Sequence, residues 1–187
     1  MNDLSACADR LGSAGRVLVI GCSGSGKSTL AQRLSARLGL PYVSMDRAFF
    51  WLPGWRSRER GEIRAMIARA VAQERWIMDG TSPGTMDLRL PRADLVLWLR
   101  LPRLLCIARV VLRRIRYAGR SRPEMADDCP EKIDLEFLRY IWNFEKDEVP
   151  EVLEGIVKHG PDVPVFVLDS RRDAGALLAL LERRDTD

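Results

Sequence analysis

Two rhythms of apolar positions alternate along the chain. Short, almost wholly apolar runs occur at 16–20, 42–45, 76–78, 94–99 and 163–168, the pattern of strands buried on both faces in a parallel sheet. Between them the apolar residues fall at helical spacing. Leu30, Leu34 and Leu38 follow the first run, Ile63, Met66, Ile67, Ala70 and Val71 the second, a helix is expected over about 103–117, and another over 174–181. This alternation predicts an α/β fold of three layers, a five-stranded parallel sheet with helices on both faces. Gly39 and Pro41 stop the first helix, as a C-cap glycine and a following proline do. Residues 131–158 read as helices broken near Pro150, and residues 1–15 as a loosely held arm. Residues 47–56 read as an aromatic loop, with Phe49, Phe50, Trp51 and Trp55 around Pro53-Gly54, and residues 118–130 as a mobile flap. With no repeat and no linker, one domain is expected over 1–187: a core of 16–45, 76–116 and 135–187, an acceptor-binding insertion at 46–75 and a lid at 117–134.

Between the first strand and the first helix stands Gly21-Cys22-Ser23-Gly24-Ser25-Gly26-Lys27-Ser28-Thr29, which fits the phosphate-binding loop G-x-x-x-x-G-K-[ST]. Glycines let the backbone wrap closely around a phosphate while N–H groups point inward at the positive end of the helix dipole. Lys27 is placed to reach the β- and γ-phosphates, and the Ser28 hydroxyl to hold Mg²⁺. The expected ligands are therefore ATP and Mg²⁺. Cys22 lies inside this cradle, facing Lys27 and a helix N-terminus, surroundings that lower a thiol pKa, although a small residue that simply fills the loop is the favoured reading over a redox switch.

Composition narrows the class without changing it. The chain has 187 residues, is 47% apolar and 30% charged, and so is globular. No run approaches a membrane span, and the acidic N-terminus lacks a signal-peptide core. Four cysteines without metal-like spacing and a single histidine, His159, point to reduced thiols in a cytoplasmic protein and argue against His-based catalysis. The net charge is only +4, but eight arginines fall between 100 and 122, and it is this clustering that is informative.

Ligands of such sheets bind beyond the carboxyl ends of the strands. Asp79 ends the third strand, where it holds Mg²⁺ directly or through water, or else caps the following segment. Asp46 ends the second strand, where it orients or deprotonates an acceptor, contacts the metal's water, or caps a turn. Arg109 and Arg113 share a helical face, and Arg120 and Arg122 follow in the flap. Such arginine forks neutralise a transferring phosphoryl group as a lid closes. Arg103, Arg114 and Arg116 read as a solvated basic face. Arg89 is placed to bind an acceptor's anion, and Trp51 and Trp55 stand evenly between core and acceptor pocket.

Ile77-Met78-Asp79-Gly80, Arg89, the run 93–99 and Pro102 resemble the central segment of the adenylate-kinase-like nucleoside monophosphate kinases. The resemblance implies that Arg109 and Arg113 act on the ATP base and phosphates, Arg109 packing on the base. The runs 50–55, 76–80, 87–90, 120–123, 129–131 and 134–140, with Met45-Asp46, look like the bacterial DNA topology modulation proteins of the FlaR type. Thr81-Ser82-Pro83-Gly84 departs from that pattern, and one cation expected near the acceptor is missing. The expected activity is phosphoryl transfer to a small acceptor, a nucleotide or other small metabolite, by a monomer or homodimer. The alternatives are an ATP-binding regulator that touches DNA and a switch that only hydrolyses ATP; against DNA, no helix-turn-helix, zinc or RNP pattern occurs.

Overall fold

The computed structural model describes residues 3–183. In chain order the elements are α1 (Leu4–Ser13), β1 (Arg16–Gly21), α2 (Lys27–Leu38), β2 (Tyr42–Ser44), β3 (Trp51–Leu52), β4 (Arg56–Ser57), α3 (Arg60–Val71), β5 (Trp76–Asp79), α4 (Met86–Arg89), β6 (Leu95–Leu99), α5 (Arg103–Arg116), α6 (Leu135–His159), β7 (Val165–Leu168) and α7 (Arg171–Arg183). Five strands form one parallel sheet in the order β2-β5-β1-β6-β7. Side chains alternate across it with the period of two that a strand imposes. Leu18 and Ile20 of β1 join Met78, Val96 and Trp98 in a core closed by α3 to α6, while Val17 and Val19 join Ile77, Leu95 and Leu97 in a second core closed by α1, α2 and α7. The predicted three layers follow directly from this alternation.

Four expectations are corrected. Of the expected arm, residues 1–2 lie outside the described residues and 3–13 are not loose: Asp3 accepts a hydrogen bond from the Ala6 amide at 2.9 Å and caps α1, whose Cys7, Ala8 and Leu11 are buried and pack with α7 residues. Their small side chains hid a genuine helical stripe. Pro150 does not break α6, which runs unbroken through it. Buried Ile141 and Phe144 on one side and Val152 on the other anchor both halves against the core and offset a proline cost of about 3 kcal/mol. The aromatic loop is a π-helical turn, Asp46–Phe50, followed by a two-stranded hairpin pairing Trp51 with Ser57 and Leu52 with Arg56.

The flap is also packed. Met125, Ala126 and Cys129 form a small cluster with Trp51 and Trp55 of the hairpin. Polar contacts add to it: Ser44 Oγ donates to the Glu124 carbonyl at 2.8 Å, Arg47 to the Pro123 carbonyl at 2.6 Å, the Gly54 amide to the Asp128 carbonyl at 3.1 Å, and Trp55 Nε1 to the Pro130 carbonyl at 3.1 Å.

Candidate active site

β1 sends its chain by α2 to one edge of the sheet, and β6 sends its chain towards β7 at the other. Their carboxyl ends therefore bound the crevice at which open α/β sheets take ligands. The glycine loop sits there. Gly24 has φ +83° and lies so close to the Cys106 carbonyl of α5 that a Cβ would overlap it. Gly26, at φ +95°, is the left-handed residue before Lys27 opens α2. Neither position accommodates a side chain in this backbone conformation. Arg109 clasps the loop from α5, donating to the Gly24 and Ser25 carbonyls at 3.2 and 2.9 Å. The first-turn N–H groups of α2 have no intrahelical partner and face the cleft with the helix dipole behind them.

All residues from 23 to 29 line a cleft of about 1130 Å³, large enough for a nucleotide and a second small molecule, since single-ligand pockets are about 300–1,000 Å³. Gly21 and Cys22 lie beneath the loop rather than in the cleft lining. Gly21 exchanges two hydrogen bonds with Thr81 Oγ1, at 3.0 and 2.7 Å. Cys22 is buried, and a hydrogen bond to Cys106 and burial raise its thiol pKa, outweighing the pull of Lys27. Of the two readings of Cys22, the activated thiol is set aside, because the thiol faces the core.

Asp79 ends β5 and is 3% exposed. Burial pushes its carboxyl pKa up; Lys27 and the Ser28 hydroxyl pull it down, and Asp46 pushes it up again. Two carboxylates and a hydroxyl thus share one corner with a single ammonium. No group of three or more His, Cys, Asp or Glu side chains that could hold a metal occurs among the described residues. The donor set is instead that of a hard cation held by one or two carboxylates and completed by phosphate and water, the usual setting of Mg²⁺.

Asp46, Trp51, Trp55, Arg109, Arg113 and Arg122 all line the same cleft. The two tryptophans meet edge to face, with centroids 5.2 Å apart, and serve both readings at once, packing on Met125 and Cys129 while walling the cleft. Arg113 donates from Nε to Glu131 at 3.0 Å, and Arg122 pairs with the other carboxylate oxygen. Burial and the nearby Arg122 lower the Arg113 pKa, against Glu131. Burial and Arg171 lower the Arg109 pKa.

Asp79, like Gly21 and Cys22, is absent from the cleft lining, and two arginine candidates are not brought to it either. Arg89 is fully buried; it donates to the carbonyls of Gly80 (2.8 Å), Thr81 and Ser82 (2.9 Å) and to Thr85 Oγ1 (3.1 Å). Burial lowers its pKa to about 10. It is a brace for the turn after β5, its donors spent on backbone, rather than a cation open to an acceptor. Arg120 is exposed and outside the cleft lining. Conversely Arg116, expected on a solvated face, lines the cleft.

The residue most clearly missed is Glu131, 4% exposed and shared by two arginines; a lone acid after an arginine-rich stretch was its only signal. Arg171 at the start of α7 and Lys132, its ammonium 4.9 Å from the Trp55 ring centroid, also line the cleft and had no motif to announce them.

No protein-family model matches the sequence, and no curated protein matches it. Solved structures do. A shikimate kinase from Acinetobacter baumannii, in complex with shikimate, superposes with a TM-score of 0.59 at 12% identity, over 96% of this chain and 97% of that one. A shikimate kinase from Bacteroides thetaiotaomicron gives 0.54 at 16% identity, over 94% and 100%. At such identity the likeness concerns the fold: this chain has the α/β P-loop fold seen in those kinases, built around a five-stranded parallel sheet.

Proposed function

We propose that the chain transfers a phosphoryl group from Mg·ATP to a small-molecule acceptor. The observation that carries this reading is the one cleft that the glycine loop, Asp46, Arg109, Arg113, Arg122 and the two tryptophans line together, with Asp79 buried behind Lys27 and Ser28. Lys27 and the loop amides would hold the β- and γ-phosphates, and Ser28 and Asp79 the metal, which bridges phosphate oxygens and neutralises their charge. Arg113 and Arg122, their forks set by Glu131, would stabilise the transferred group. Arg109, with Arg171 nearby, would sit at the nucleotide's base end. The 117–134 segment would act as a lid over a 46–75 acceptor insertion, which its contacts with the hairpin support.

The acceptor reads as a hydroxyl compound rather than a phosphate-bearing one. A nucleoside monophosphate needs a cation of its own, yet Arg89 is withdrawn into the turn after β5, and Arg113 and Arg122 would already serve the transferred group. A hydroxyl gains from a carboxylate able to take its proton, worth about 10²–10⁴ in rate. Asp46 stands in the cleft, close enough for its charge to act on Asp79 and Arg113. The FlaR-type likeness keeps a regulator acting on DNA as the competing reading, but Arg109, Arg113, Arg116 and Arg122 turn into the cleft. That arrangement suits catalysis better than duplex binding.

A screen of nucleotides and hydroxylated metabolites for ADP release tests this. With an active hydroxyl acceptor in hand, Asp46→Asn should lower kcat by about a hundredfold or more and leave ATP affinity nearly unchanged. Turnover confined to nucleoside monophosphates, with little effect of Asp46→Asn, would reverse the acceptor assignment. No acceptor-dependent ADP release, together with tight ATP-sensitive duplex binding near physiological salt, would replace the kinase by the regulator.

A further inference from the structure

The outward face of α5 is apolar, the reverse of an ordinary surface helix. Leu104, Val111 and Ile115 are 67%, 41% and 69% exposed. With exposed Ala108 they stand at i, i+4, i+7 and i+11, a single stripe. The opposite side of the helix already fills the core through Cys106 and Val110, so no rotation of α5 could bury the stripe without emptying that core. α6 packs against α5 and adds Leu135, 84% exposed, and Trp142, 45% exposed. Arg103 ties the two helices together, its guanidinium carbon 3.8 Å from the Trp142 ring centroid.

On α5 the charges have one sign, while the start of α6 adds exposed Asp134 and Glu136 beside Leu135. α5 carries five arginines and no acidic residue; Arg109, Arg113 and Arg116 line the cleft, which leaves Arg103 and Arg114 to edge the stripe. On α6, exposed Arg139 shares the outward row of Leu135 and Trp142, at i, i+4 and i+7, and Glu145 is paired with Arg100. Exposed leucines and a tryptophan edged by arginines are the composition of a helix lying in a lipid interface. Arginine stems reach from such a face to the phosphates while the apolar side chains enter the acyl boundary.

We propose that the outer face of α5 and the N-terminal part of α6 seat the protein on an anionic lipid surface. Leu104, Val111, Ile115, Leu135 and Trp142 enter the headgroup–acyl boundary, and Arg103, Arg114 and Arg139 meet lipid phosphates. The contact is peripheral, since no described helix is long and apolar enough to cross a membrane. A second copy fits less well, because a twofold contact would set this arginine-edged stripe against itself. Duplex DNA would use the arginines but leave five exposed apolar side chains without a partner.

The test is co-sedimentation of the full chain with extruded vesicles. Phosphatidylglycerol mixed into phosphatidylcholine should raise the bound fraction about tenfold over phosphatidylcholine alone, and salt should weaken the gain. The double variant Leu104→Glu/Ile115→Glu should lose binding to both vesicles while keeping its far-ultraviolet circular dichroism and its Mg·ATP affinity. Arg103→Gln/Arg114→Gln/Arg139→Gln should lose only the preference for anionic lipid. Wild-type protein that ignores anionic vesicles overturns the proposal. So does a wild-type dimer in light scattering that Leu104→Glu splits, or duplex binding tighter than vesicle binding at the same salt.

Discussion

The phosphate end of the cleft is one continuous stretch, residues 23–29, set between a buried strand and a helix, whereas the acceptor end is drawn from the Asp46 turn, the β3–β4 hairpin and the segment running from Arg113 to Tyr140. The first is fixed by its own backbone: two glycines at positive φ, the dipole of α2, and Arg109 clasping two carbonyls. The second is fixed by contacts between side chains and backbone far apart in sequence, such as Gln32 with Glu124 at 2.8 Å and Trp55 with Pro130 at 3.1 Å. Its apolar cluster is small, only Met125, Ala126 and Cys129 against two tryptophans. Few buried apolar contacts and many exposed polar ones mark the parts of a protein that open most readily. On the proposed reading the cleft would pair a phosphate cradle held by its own backbone with an acceptor side that opens more readily.

The largest effect that separates the two ends should come from the cradle. Lys27→Ala removes a cation aimed at charge that develops during transfer, and loss of one such group typically costs about 10²–10³ in rate. Because Lys27 is not a core residue, circular dichroism and thermal unfolding should change little. ATP turnover that survives within a few-fold of wild type would remove the phosphate end from the comparison altogether.

The same contrast explains what was legible in the sequence. The loop, the five strands and Asp79 each announce themselves within a dozen residues, by a motif or by an unbroken apolar run. α1 was missed because Cys7 and Ala8 are weak apolar signals, although Leu4, Cys7, Ala8 and Leu11 have helical spacing. Pro150 misled because the cost of proline is local, while the packing that overrides it comes from the sheet and from neighbouring helices. At the acceptor end the failure concerns side-chain direction. Arg89 sits on a four-residue helix after a tight turn, and only the fold shows that its guanidinium turns back into that turn. Arg120 and Arg122 are two apart in one stretch, so nothing local separates the arginine that reaches Glu131 from the one that faces solvent.

An intermediate effect comes from Arg89, which braces the floor between the two ends. Arg89→Ala leaves the buried acceptors of Thr81 and Thr85 without their donor. An unsatisfied buried group costs about 1–3 kcal/mol, so the midpoint of urea unfolding should fall by the equivalent of about 3 kcal/mol. The acceptor KM of the folded fraction should stay within a few-fold of wild type. Arg89→Lys separates the two roles: a lysine keeps the charge and would rescue an acceptor-binding role, but it cannot present a planar fork to three carbonyls and a hydroxyl. Rescue of KM by lysine would return Arg89 to the acceptor site.

The smallest effect should come from Arg120, and it tests how far the segment around it moves. Arg120 is tied through its backbone, its amide donating to the Tyr117 carbonyl at 3.0 Å and its carbonyl accepting from the Glu131 amide at 3.2 Å. Its side chain is exposed and outside the cleft lining, whereas Arg122 is paired to Glu131 within it. Removing an exposed charge usually costs under about 1 kcal/mol, a factor of five or so in rate. Arg120→Ala should therefore leave kcat/KM within about fivefold of wild type. Arg122→Ala removes a cation from the cleft and leaves Glu131 with Arg113 alone, so its loss should be at least tenfold greater. If the two substitutions cost the same, this arrangement of the segment is not the catalytic one: Arg120 must turn inward when both ligands are bound. Raising ionic strength distinguishes the cases further, since an arginine held against phosphate in a closed cleft is screened much less than one facing solvent.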